Sequence, residues 1–142
     1  MLAADEDVAY GTAMAARADD WFAQAERDLA HAELSRAAGH HEWACFAAQQ
    51  AAEKAVKALH QRLGQEAWGH VVRVLLEDLP LEHAAPTELL DRARVLDGFY
   101  SPTRYANGHP AGAPRDHYGD LQSREAIEHA RAILEFARLP MA

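Results

Sequence analysis

A chain of 142 residues with 49% apolar content can bury one hydrophobic core, and a second domain of ordinary size does not fit. Its formal charge of -8 at pH 7 argues against wholesale, nonspecific wrapping of nucleic acid but leaves room for a local basic site. Cys45 is the only cysteine, which excludes an internal disulfide. Twelve of the fourteen basic residues are arginine. That side chain suits bidentate contact with phosphate or carboxylate, although GC-rich coding produces the same enrichment and is the preferred explanation.

Residues 1–15 carry Asp5, Glu6 and Asp7, lack a basic leader, and show no clear apolar period. They are expected to form an extension, mobile unless something ties it down. No apolar run approaches membrane-spanning length, so a cytoplasmic protein is the default expectation. The domain is expected over residues 16–139. Ala18, Trp21, Phe22, Ala25, Leu29 and Ala32 recur at the spacing of one helical face, and Gly39 ends that helix. A second helix follows the short Gly39–Glu42 connection and stops at Gly64, making an antiparallel hairpin. On it Cys45, Ala48, Gln49, Ala52, Val56, Leu59 and Leu63 share a face opposite Gln50, Lys54, Lys57 and Gln61. Ala44, Ala51, Ala55 and Ala58 add a small-residue ridge that admits a close helix neighbour.

Val71–Leu79 is β-branched, yet Val71, Val74, Leu75 and Leu79 fit a helical stripe, and a lone strand would have no partner; a short helix closed by Pro80 is expected. Pro86-Thr87-Glu88 then starts a helix carrying Leu89, Leu90, Ala93, Leu96 and Tyr100. A last helix runs from about Asp120 to Leu139, with Ile127, Ala130, Leu134 and Ala137 inward. The expected fold is all-α, an up-and-down bundle of four to five helices. Between the last two helices, residues 101–119 hold three of six prolines, three of eight glycines, two arginines, two histidines and two tyrosines. A loop of that length in a compact domain is more often functional or disordered than idle, and its composition favours function.

Four blocks occur in order: Trp21 with Asp28-Leu29 and Ala32; the Gln49-Gln-Ala-Ala-Glu-Lys54 helix; His70 with Leu75-Leu76 and Leu79; and Leu96-Asp97 through Tyr100 and Thr103-Arg-Tyr105. Together they resemble a HEPN (higher eukaryotes and prokaryotes nucleotide-binding) domain over about residues 16–139. The resemblance implies a small helical bundle that pairs as a homodimer and works with a minimal nucleotidyltransferase as a two-component or toxin–antitoxin pair. Many such proteins are metal-independent ribonucleases that use an Arg, four to six residues, then a His; others lack the motif and bind nucleotide or only assemble.

Arg104-Tyr-Ala-Asn-Gly-His109 has that spacing, making Arg104 and His109 the catalytic candidates. A neutral imidazole would take the ribose 2′-OH proton and the guanidinium would stabilise charge on the attacked phosphate. Arg36–His41 and Arg124–His129 share the spacing, so spacing alone does not select the site. Tyr105 directly after Arg104 departs from the nuclease pattern, which places a polar residue there and sets the motif at a helix. Lys54, Lys57 and Tyr105 are candidates for nucleotide or RNA binding. For Lys54 and Lys57 the alternative is a solvated face with a Glu53–Lys57 pair at i,i+4; for Arg104 it is a tie from the loop to a helix carboxylate. His70 reads as a cap or a buried hydrogen-bonding group. No repeated Glu-x-x-His and no glycine-rich phosphate loop occurs, so neither metal nor cofactor is expected. The competing function is a noncatalytic homodimeric binding or assembly module with a degenerate active site.

Overall fold

The computed structural model describes residues 2–141, with side chains from Ala16 onward. Five helices follow in order: α1 (Leu2–Ala37), α2 (His41–Arg62), α3 (Val72–Glu77), α4 (Thr87–Asp97) and α5 (Asp120–Arg138). No strand occurs among the described residues, in agreement with the all-α expectation. The segment read as an extension continues directly into α1, and its expected mobility lies outside the described side chains.

α1 and α2 end alike. Gly39 and Gly64 adopt φ of 81° and 76°, the left-handed region a Cβ disfavours. The N–H of His40 then reaches Ser35 O at 2.8 Å, and that of Gln65 reaches His60 O at 2.8 Å. Each turn caps helix carbonyls that would otherwise lack partners and reverses the chain.

α2 is the axis of the bundle, packed by α1, α5, α3 and α4. The expected core face is buried as far as Leu59, with Leu63 past the helix end only partly covered, and the alanine ridge is buried too: Ala44, Ala51, Ala55 and Ala58 are as inaccessible as Cys45, Val56 and Leu59. The ridge therefore serves neighbouring helices of this chain and offers nothing to an outside partner. Methyl-sized residues let those helices approach closely, while Val56 and Leu59 each contribute about 2 kcal/mol by leaving water. α5 presents Ile127, Ala130, Leu134 and Ala137 inward as expected, joined by Ala126 and Ile133.

The stripe expected on α3 is displaced. Val72, Leu75, Leu76 and Leu79 are buried, whereas Val71 and Val74 are 45% and 38% exposed. The register is set by Asp97 at the end of α4, whose carboxylate accepts from Val72 N at 2.6 Å and Arg73 N at 3.1 Å. This distant side chain acts as the N-cap, so His70 does not cap α3. His60 Nε2 donates to Leu75 O at 2.7 Å and fastens α3 to α2.

Candidate functional site

Residues 98–119 leave the end of α4, pass against α2 at Phe46 and return to α5. Thr103, 1% exposed, anchors the crossing by donating to Phe99 O at 2.6 Å. Short 3-10 turns at Ala106–Gly108 and Pro114–Asp116 carry the chain onward.

Arg104 sits on aromatic rings. Its guanidinium carbon lies 4.3 Å from the Phe46 ring centre, 4.7 Å from Tyr100 and 5.1 Å from Tyr105. Its Nε donates to Tyr100 O at 2.9 Å. None of the ion pairs among the described residues involves Arg104, so the expected tie to a helix carboxylate is replaced by a carbonyl and three ring faces. Such rings hold the cation in place without neutralising it. Tyr105 is 54% exposed beside it.

His109 lies further along the same loop. Its Nε2 donates to Pro102 O at 2.6 Å, and its ring stacks on His117 at 4.0 Å with only 5° between the planes. The Tyr118 ring meets it edge-on at 5.7 Å. A carbonyl oxygen can only accept, so Nε2 carries a proton and the neutral ring keeps its lone pair on Nδ1. The turns hold Arg104 and His109 in one loop, each by its own contacts.

Lys54 and Lys57 face α1. Lys54 Nζ pairs with Asp28 at 2.5 Å; Lys57 pairs with Glu53 at 3.2 Å and lies 6.0 Å from the Trp21 ring centre. The i,i+4 pair forms as considered, but its face is not solvated, since the Lys57 and Glu53 side chains are only 13% and 5% exposed.

Sequence reasoning missed what surrounds Glu53. Oε1 accepts from His70 Nδ1 at 3.0 Å and Gln49 Nε2 at 3.3 Å, while Oε2 faces Lys57. Gln49, itself fully buried, also donates to His70 O at 3.1 Å. The His70 ring stacks on Tyr100 at 4.6 Å, and its side chain is 56% exposed. Gln49, Glu53 and Lys57 at successive i,i+4 positions were the available signal; the arrival of His70 was not visible. Beside Tyr100 opens a cleft of about 300 Å³ lined by His70, Val71, Asp97, Gly98, Ser101 and Pro102. Burial, partly offset by the Arg73 and Val72 N–H groups, raises the Asp97 carboxyl above its ordinary value.

A five-helix bundle with an aromatic loop carrying Arg104 laid against its central helix defines a small all-α module. A family model described as HEPN domain matches residues 18–139, and the chain belongs to that family. TT1696 from Thermus thermophilus is 49% identical, with 87% of this chain and 98% of that one covered at a TM-score of 0.86. ST0689, an archaeal HEPN homologue, is 39% identical over 89% and 98% of the two chains, with a TM-score of 0.77. A HEPN domain protein of Thermotoga maritima is 37% identical over 84% and 94%, at 0.67. No curated protein matches.

Proposed function

We propose that this chain is a nucleotide- or RNA-binding module that acts with a minimal nucleotidyltransferase as one half of a toxin–antitoxin pair. The observation that carries the binding reading is Arg104, a guanidinium held by aromatic rings and left without a carboxylate. Phosphate is the anion its planar fork fits, and Tyr105 beside it offers a face on which a base can stack. Lys54 and Lys57, each engaged with a carboxylate, are secondary in this reading. Pairing of two copies belongs to it as well, supported by the exposed apolar side chains of Trp43, Trp68 and Val71.

The test is fluorescence polarisation with a labelled single-stranded RNA. Arg104→Ala should weaken binding about tenfold or more and flatten its salt dependence. Equal affinity for wild type and variant would remove Arg104 from the interface.

Metal-independent cleavage is the second reading, with Arg104 stabilising the attacked phosphate and His109 accepting the proton. It is favoured by the fixed orientation of the His109 ring, which keeps Nδ1 as its acceptor. The noncatalytic alternative retains binding and pairing and yields no cleavage products in EDTA.

A further inference from the structure

Glu53 and His70 form a unit that lies outside the Arg-to-His spacing. A carboxylate on the central helix is shielded from water on nearly every side and held by three partners. One of those partners, the imidazole of His70, projects outward and is more than half exposed. The carboxylate only accepts, so Nδ1 of His70 carries the hydrogen between them, and in the neutral ring the lone pair is on Nε2, across the ring from Glu53. Stacking on Tyr100 fixes the ring plane, and Gln49 holds the main chain of the same residue. An imidazole whose inner nitrogen is bonded to a buried carboxylate and whose outer nitrogen is free to accept is the arrangement by which proteins orient a general base.

His70 also lines the cleft beside Tyr100, whose volume of about 300 Å³ accommodates a ribonucleoside. The Asp97 carboxylate on that cleft is committed to two backbone N–H groups, leaving His70 as its oriented proton acceptor. Arg104 rests on the same Tyr100 ring. One aromatic side chain therefore supports both a candidate proton acceptor and a candidate phosphate contact.

We propose that His70, oriented by Glu53, is the general base of an RNA-cleaving site whose ribose pocket is this cleft, and that it takes the place first given to His109. The proposal rests on the reading that Arg104 holds an RNA phosphate. The ribose 2′-hydroxyl gives its proton to His70 Nε2 while its oxygen attacks the adjacent phosphorus. The new O2′–P bond forms as the P–O5′ bond breaks, the departing 5′-oxygen takes a proton from water, and the hydroxide left behind takes the proton back from the His70 imidazolium. The products are a 2′,3′-cyclic phosphate and a 5′-hydroxyl, and no oxidant, reductant or metal is consumed. Glu53 is a positioning residue that fixes the ring and stabilises the imidazolium once it forms.

The test uses the full chain and a labelled single-stranded RNA in EDTA, with affinity read by polarisation and cleavage by single turnover. Wild type should bind and cleave. His70→Ala should still bind RNA, more weakly for the loss of one pocket wall, and at saturating RNA should cleave about a hundredfold to ten-thousandfold more slowly, the usual worth of a general base, with part of the rate restored by free imidazole. Glu53→Gln should lower the single-turnover rate at unchanged RNA affinity, with circular dichroism confirming that it folds. If His70→Ala cleaves at the wild-type rate, or loses cleavage without imidazole rescue, His70 is not the base. Binding without cleavage by wild type also overturns the proposal, whereas a wild type that binds no RNA overturns the reading beneath it.

Discussion

Replacing Asp97 by Ala tests how the end of α4 positions the start of α3 and the cleft between them. The change removes both acceptors from Val72 N–H and Arg73 N–H. Val72 is fully buried, so its donor loses its partner without gaining water, at a cost of about 2 kcal/mol. Arg73 is half-buried and its N–H partly recovers with solvent, adding about 0.5 kcal/mol. The expected loss of about 2.5 kcal/mol corresponds to a fall of roughly 8 °C in Tm for a domain of this size. Urea unfolding followed by circular dichroism at pH 7 measures it, with Asp97→Asn as the intermediate case because its amide oxygen still accepts. A loss below about 0.5 kcal/mol for Ala, or an Asn variant as unstable as Ala, would refute the capping argument.

Asp97 also gives a pH prediction of definite sign. Its folded-state value is raised from 3.8, so its contribution is complete below that value and declines as pH rises through the folded one; the wild-type advantage over Asp97→Asn should shrink from pH 3 to pH 7 in the same unfolding assay. Asp120 is displaced the other way, chiefly by its hydrogen bond from Arg36, so Arg36→Ala should raise the Asp120 midpoint in an NMR titration. Burial, reinforced by Glu42, pushes the Cys45 thiol up to about 12. A thiol reagent at pH 8 should leave Cys45 unmodified in the native protein and react fully once urea exposes it; rapid native labelling would contradict its place in the core.

The helices were legible because their apolar residues recur at 3.6-residue spacing and glycine marks the ends of α1 and α2. Period alone could not fix the register of α3, since Val71, Val72, Val74, Leu75 and Leu76 satisfy more than one stripe. The choice is made by Asp97, twenty-five residues from Val72, which no local pattern encodes. Arg104 and Tyr105 could be singled out from their position in a long Pro/Gly-rich loop, but the rings beneath the guanidinium come from α2 and the chain just after α4. Glu53 reads in sequence as half of an exposed helix pair. Its burial goes with the closing in of Gln49, Lys57 and His70, and the arrival of His70 leaves no periodic trace.

The central helix carries seven buried alanines, Ala44, Ala47, Ala48, Ala51, Ala52, Ala55 and Ala58. Its tolerance of change is therefore lopsided. An alanine has almost nothing to lose by truncation and no rotamer freedom to forfeit on folding, but each added carbon must push a whole helix aside, at about 1–3 kcal/mol. In a saturation scan this axis would behave as a spacing gauge, sensitive to girth more than to polarity. Because Glu53 and Phe46 stand on the same axis, a bulkier neighbour would tilt the aromatic and carboxylate supports of the loop before it unfolded the bundle.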